Sequence, residues 1–173
     1  MTRFSSGSVK MGPNDIDEIK SRLRASNRES LDRLLTDKSS LGVLVTNVHV
    51  LSDLAMSPSF KLQEWALNAL GERSPIPANA VSNLLTIVTN IQTDEHVRAL
   101  AARVVTISNP DGRALGALVA QIPKASPEFQ VLLIELIGLC GPKAQPVAGQ
   151  LRPYLNASPA AVVSITSTLN AAT

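Results

Sequence analysis

The sequence TDEHVRALAARVVTISNPDGRALGALVAQIP, residues 93–123, contains a helix start, two apolar stripes, a break and a stop. Asp94 can accept hydrogen bonds from the free backbone N–H groups of a first helical turn, so it predicts an N-cap. The apolar residues that follow recur at the spacing of one helix face. They are Val97, Leu100, Ala101, Val104 and Val105. The pattern predicts an amphipathic helix.

The second half of this stretch predicts another helix, antiparallel to the first. The break is Asn109–Gly112, which reads Asn-Pro-Asp-Gly, because proline cannot continue the backbone ladder and glycine accepts unusual angles. Leu115, Leu118, Val119 and Ile122 then share one face, and Pro123 closes the helix. Two short helices of this kind cannot bury both stripes without neighbours.

Similar units lie on either side of this helical hairpin. The predicted helix starts are Ser57-Pro58, Asp94-Glu95, Ser126-Pro127 and Ser158-Pro159, at spacings of 37, 32 and 32 residues. The second helices give the series Leu84, Leu118 and Leu151, spaced by 34 and 33 residues. Each predicted start has a capping residue, and in three of them proline follows at the first helical position. Periods of this length predict a repeat architecture of stacked helices.

The middle unit resembles the HEAT-repeat family. Residues 94–102, DEHVRALAA, match the family's first-helix pattern, and Ala69-Leu70-Gly71 and residues 137–141 look like its helix ends. The resemblance covers residues 57–173. It implies antiparallel helix pairs whose second helices line a concave face, and mostly implies protein binding. We therefore expect an all-α, right-handed superhelix of about eight to nine helices.

The rest of the chain is expected to extend this single domain. Residues 1–13 predict a disordered tail, residues 14–56 predict N-terminal capping helices, and residues 57–173 predict the HEAT-like repeats. A helical stripe runs from Leu41 to Ala55. Residues 153–173 carry no charged side chain, so this end is predicted either to pack on the preceding pair or to join a second chain as a homo-oligomer.

Composition narrows the expected function and location. The chain has 173 residues, 45% apolar and 3% aromatic, with a net charge of +2, and residues 39–173 hold eight basic and eight acidic side chains. Nucleic-acid binding is therefore not expected, because such proteins usually carry a basic face. The single cysteine, the lack of an apolar signal segment and the lack of an 18-residue apolar run predict a cytoplasmic protein without a membrane span.

No residue cluster in the sequence names a reaction. Phosphate-binding loops, nucleophile elbows and zinc-protease motifs are absent from the sequence, and His49 and His96 lack partners at metal-ligand spacing. Cys140 falls on a core stripe and is predicted to be a buried, unreactive thiol. Trp65 is predicted to pack in the core. We expect no catalytic residue, no cofactor and no metal site.

The leading hypothesis is a non-catalytic scaffold or adaptor that binds a protein partner on its concave face or its apolar C-terminal end. Family geometry places the binding residues on the second helices: Asn83, Thr86, Asn90, Arg113, Gln121, Gln150 and Arg152. The alternative is nucleic-acid binding or DNA-base repair, by resemblance to the HEAT-like alkylpurine DNA glycosylases. A role like that of the HEAT-like phycobilin lyases has no support beyond the fold.

Overall fold

The computed structural model describes residues 17, 18, 20, 21, 23, 47–73, 75–108 and 110–154. This part of the chain is all-α, as predicted. Its α-helices are α1 (Val48–Ala55), α2 (Phe60–Gly71), α3 (Ala78–Thr89), α4 (Glu95–Ile107), α5 (Gly112–Val119), α6 (Pro127–Leu139) and α7 (Gln145–Leu151). Short 3₁₀-helices cover Ile122–Lys124, Gly141–Ala144 and Arg152–Tyr154. Residues 17, 18, 20, 21 and 23 are also helical, as the N-terminal pattern predicts.

Side-chain caps begin four of these helices, and two of the caps were predicted. Asp94 Oδ1 accepts from His96 N at 2.9 Å, and Ser126 Oγ accepts from Phe129 N at 3.2 Å. The other two caps are Asp111 before α5 and Asn47 before α1. Each cap satisfies a backbone donor that has no intrahelical partner, so the helix boundaries follow directly from these side chains.

Helices two positions apart in the chain contact each other, which sorts them into two rows. One row consists of α2, α4 and α6, and the other consists of α1, α3, α5 and α7. Contacts between the rows include α1 with α2, α3 with α4, and α5 with α6. Most helices therefore bury their apolar stripes against a helix of the other row and against the next helix of their own row.

The core between the rows is aliphatic, in keeping with the low aromatic content. The predicted stripes of the central unit are buried except for Leu100, which is half-buried, and Ile122 is fully covered although it lies beyond the end of α5. In the preceding unit Leu84 and Val88 are buried, whereas Val81 and Leu85 are only half-buried. The apolar helix α6 is buried on most sides, with the exception of Leu139, which is 80% exposed.

Hydrogen bonds join residues about one repeat apart. Asn79 Nδ2 lies 3.2 Å from His49 Nδ1, and these residues are 30 positions apart in the chain. Asn83 Nδ2 donates to Ser52 Oγ, 31 positions earlier in the chain. His96 and Glu64 are separated by 32 residues, and Ser126 and Glu95 by 31. These separations are close to the period of the sequence, so the units that share a pattern are also the units that touch.

Three predicted helix boundaries are wrong. Ser57 does not cap α2: its N–H donates to Leu54 O at 3.0 Å, which places it in the turn that ends α1, and Ser59 is the N-cap. The stripe from Leu41 to Ala55 does not form one continuous helix, because Asn47 is extended and caps α1, which begins at Val48. The second helix of the central unit ends at Val119, and Pro123 lies within the 3₁₀-helix that follows.

Several predictions concern residues outside the described ranges. These are the tail at 1–13, the stripe residues at 41–46, the Ser158-Pro159 helix start and the uncharged segment after Tyr154. The total of eight to nine helices also depends on them. Within the described part, no single helix is both long and apolar enough to cross a membrane, and the pair Pro127–Leu139 and Gly141–Tyr154 meets that test only across a 118° bend.

Candidate binding groove

A groove of about 330 Å³ lies between α3 and α5, on the row of helices that the sequence assigned to binding. We call it the α3–α5 groove. Val81, Ser82 and Leu85 of α3 line one side, and Arg113 and Ala114 of α5 line the other. The segments that lead into these two helices close its end with Pro75, Ile76, Ser108, Pro110 and Asp111. The surface is mostly apolar, with a few polar groups at defined positions, as is typical of binding sites.

Most polar side chains of the groove are already hydrogen-bonded within the protein. Ser82 Oγ donates to Ala78 O at 3.1 Å, and Ser108 Oγ donates to Val104 O at 2.6 Å. Asp111 Oδ1 accepts from Ala114 N at 2.7 Å, where the positive end of the helix dipole stabilises its charge. Arg113 is exposed, and no described residue accepts a hydrogen bond from its guanidinium.

A second groove, of about 290 Å³, lies on the opposite row between α2 and α4. Leu67, Leu100 and Ile107 supply apolar surface there, and both Glu72 and Arg103 line it. This groove therefore contains both a negative and a positive side chain. In the α3–α5 groove the carboxylate of Asp111 caps a helix, whereas the guanidinium of Arg113 has no hydrogen-bond acceptor among the described residues. We take the α3–α5 groove as the candidate site for this reason.

The structure separates the seven predicted binding residues into three groups. Thr86, Asn90, Arg113, Gln150 and Arg152 are exposed, Asn83 is half-buried, and Gln121 is buried. Arg113 is the member of the set that lines the α3–α5 groove. Binding by any of these residues stays a prediction, since no partner is present.

Two of the predicted residues have structural surroundings that a surface role does not require. Asn83 Nδ2 donates to Ser52 Oγ at 3.0 Å and so ties α3 to α1. Gln121 is only 4% exposed, because α5 ends at Val119 and the following turn carries Gln121 inward. The expectation that Gln121 lies on an open face is therefore wrong.

Sequence reasoning missed the apolar part of the groove. Val81 and Leu85 of α3 are half-buried and line the groove, and neither is among the predicted binding residues. The sequence did contain an indication of this surface, because α3 has more apolar residues than one core-facing stripe needs. Ala80, Leu84, Ile87 and Val88 are already enough to face the core, so the three remaining apolar residues, Ala78, Val81 and Leu85, have to lie at its edge.

Arg98 is a core residue. It is 4% exposed, its Nε donates to Val88 O at 3.0 Å, and its guanidinium lies 4.9 Å from the Phe129 ring centroid. It thereby joins α3, α4 and α6. Asp111 and Arg113 flank the central turn but form no ion pair with each other, and Asp111 caps α5.

The remaining chemically reactive side chains lie apart from one another. Cys140 is half-buried, its thiol lies 3.4 Å from Leu136 O, and burial raises its pKa, an effect that nearby Lys143 partly offsets. His96 is exposed beside Glu64, as predicted for a solvent-facing residue, and His49 is exposed beside Asn79. Trp65 is half-buried against the core. Across the described ranges, no three His, Cys, Asp or Glu side chains converge as metal ligands would.

Comparison of the chain with protein-family models, with curated proteins and with solved structures gives no match. The resemblance to HEAT repeats therefore stays a prediction from residues 57–173. Any function has to be argued from the groove and from the helix rows themselves.

Proposed function

We propose that this chain is a non-catalytic scaffold or adaptor that binds a protein partner on the row of second helices. In this proposal the two rows are part of a HEAT-like, right-handed solenoid, and α1, α3, α5 and α7 form its binding face. The observation that carries the proposal is the α3–α5 groove, where apolar surface lies beside Arg113, whose guanidinium has no hydrogen-bond acceptor among the described residues.

Exposed polar residues continue this face on both sides of the groove. Thr86 lies further along α3 and Asn90 follows its last residue, and Gln150 and Arg152 lie on and just after α7. An apolar centre surrounded by polar residues is the usual arrangement of a protein–protein interface. Nucleic-acid binding usually requires an excess of Lys and Arg side chains, and residues 39–173 hold as many acidic as basic side chains.

The test is recovery of a partner with matched surface variants. The full chain is immobilised, exposed to nuclease-treated lysate of its native cells, and the bound proteins are identified by mass spectrometry. We expect one protein near stoichiometry. Thr86→Glu and Gln150→Glu, singly and together, should reduce its recovery.

Asn68→Glu is the matched control, because Asn68 is equally exposed on α2 in the other row. Circular dichroism of each variant establishes that it is folded. The proposal fails if the second-row variants recover the partner as well as the wild type does. It also fails if the control alone loses binding, since the binding face would then be the opposite row.

A further inference from the structure

We infer that the α3–α5 groove recognises an extended peptide segment in which an acidic side chain lies next to an apolar one. Arg113 would pair with the carboxylate, and the apolar side chain would lie against Val81 and Leu85. This inference rests on the proposed function, since it specifies the chemistry of the partner that the second-helix row binds.

The size of the groove suits a peptide side chain. Its volume of about 330 Å³ is at the lower end of the roughly 300–1,000 Å³ typical of ligand pockets. Val81 and Leu85 are half-buried in the free chain, so an apolar side chain placed on them removes further apolar surface from water. A segment with one or two anchoring side chains fits these dimensions better than a broad, flat protein surface.

The charge of the groove determines which polar side chain the peptide should carry. Ser82 and Ser108 each donate a hydrogen bond to a backbone carbonyl, and Asp111 accepts one from a backbone N–H. The guanidinium of Arg113, in contrast, has no acceptor among the described residues. Arginine presents a planar set of donors that matches a carboxylate and binds it through two parallel hydrogen bonds. The groove therefore offers an unsatisfied positive charge beside an apolar surface.

A basic peptide segment would not be complementary to the charges of the groove. The carboxylate in the groove belongs to Asp111, whose Oδ1 accepts from Ala114 N at 2.7 Å and so caps α5. A cation that bound this carboxylate would compete with the N-terminus of α5 and would also lie near the positive charge of Arg113. We therefore commit to an acidic side chain from a protein partner as the occupant.

The experiment is selection from a display library of random 12-residue peptides against the purified full chain. The wild type should enrich peptides with Asp or Glu within two residues of Leu, Ile, Val or Phe. For the best of these, fluorescence anisotropy should show that Arg113→Glu weakens binding at least about tenfold, because charge-assisted hydrogen bonds are lost and repulsion replaces them. Arg113→Lys should weaken it less.

Arg103→Glu is the matched control: it makes the same charge change at an exposed position in the other groove and should leave binding within about twofold. Selection against the Arg113→Glu variant should favour basic peptides. The inference is overturned if the wild type enriches no peptides, if it enriches basic or uncharged ones, or if Arg113→Glu binds the acidic peptides unchanged. If the native partner is nevertheless lost in the Thr86 and Gln150 variants, the proposed function stands and only the peptide chemistry is wrong.

Discussion

Arg98 is buried and has no carboxylate partner among the described residues, which is uncommon for an arginine. Its Nε is satisfied by Val88 O, while Nη2 has no hydrogen-bond partner among the described residues. The Phe129 ring compensates in part, since a desolvated cation over an aromatic face gains about 2 kcal/mol. The side chain therefore stabilises the junction of three helices, even though it is charged.

We predict that Arg98→Ala lowers the free energy of unfolding by about 2–4 kcal/mol. The change leaves Val88 O without its donor and removes the cover of Phe129, and a buried unsatisfied group alone costs about 1–3 kcal/mol. Urea denaturation measures the loss. Arg103→Ala on the same helix is exposed and should change stability by less than about 0.5 kcal/mol. Equal effects of the two substitutions would contradict a structural role for Arg98.

Two glycines give opposite predictions for the same substitution. Gly116 lies inside α5, and a Cβ built there meets no heavy atom within 4 Å, so Gly116→Ala should stabilise by about 0.5–1 kcal/mol through helix propensity. Gly141 has φ +58°, which alanine adopts with strain, so Gly141→Ala should destabilise by about 1–2 kcal/mol. Thermal unfolding of both variants checks the signs, and a gain at Gly141 would show that this turn is not constrained.

The thiol of Cys140 should react slowly at neutral pH. Burial raises its pKa, so less thiolate is present than in an unfolded chain, and the thiolate is the reactive form. Reaction with a disulfide reagent should be at least tenfold slower in the native chain at pH 8 than in urea, and should accelerate as the pH rises. Because Cys140 is the only cysteine, Cys140→Ala serves as the blank.

The same pKa shift makes a prediction for stability. A group whose pKa is raised on folding contributes stability that is complete below the unfolded value, about 8.5 for a thiol, and is lost as pH rises through the folded value. The wild type should therefore lose more stability than Cys140→Ala between pH 8 and pH 10. Equal losses in the two proteins would show that the thiol is not desolvated.

At the scale of helices, the contact between Glu95 and Ser126 joins the first turn of α4 to the start of α6. The Glu95 carboxylate accepts from Ser126 Oγ at 2.7 Å and from Ser126 N at 3.2 Å, while the same hydroxyl accepts from Phe129 N. Glu95 thus orients the side chain that caps α6. The cap depends on the neighbouring unit as well as on its own sequence.

A double-mutant cycle measures this dependence. We expect Glu95→Gln and Ser126→Ala to show a coupling energy of about 1–2 kcal/mol in urea denaturation, because a charge-assisted hydrogen bond is removed in either variant. The adjacent pair Glu64 and His96 is half-exposed, with a separation of 3.3 Å, and its cycle should give less than about 0.5 kcal/mol. Similar coupling in both pairs would indicate that the Glu95 contact is only a surface interaction.

The helices were predictable from the sequence to the extent that local signals decide them. Asp94 and Ser126 are caps in both sequence and structure, because a cap acts within one turn of its helix. Ser57 carried the same signal but lies in the turn after α1, where its N–H is already bonded to Leu54 O. The sequence pattern does not show whether a residue between two adjacent helices ends the first helix or begins the second.

The candidate groove was less predictable, because it depends on how two helices that are distant in sequence sit beside each other. Arg113 was identified from family geometry and lines the groove. Gln121 was identified in the same way and is buried, since the position of the α5 end decides where it points. Val81 and Leu85 satisfy the helical stripe equally well as core or as edge residues, and only the packing of α3 against α5 distinguishes the two.

For the described chain as a whole, the main contacts connect most helices with a helix of the other row and with the next helix of their own row. Hydrogen bonds follow the same rule, at separations of 30 to 32 residues. Stability in such an arrangement is close to a sum over units and the interfaces between neighbours. A local loss should therefore stay partly local, unlike in a domain whose contacts all cross one centre.

Native-state hydrogen exchange tests this property with two core variants. Leu133 of α6 and Leu54 of α1 are both fully buried, so truncation to alanine should cost about 2–5 kcal/mol at either site. We expect Leu133→Ala to lower amide protection most in α6 and α7 and least in α1 and α2, and Leu54→Ala to give the reverse gradient. A uniform loss of protection in both variants would contradict the prediction, because it would mean that the rows unfold as one cooperative unit.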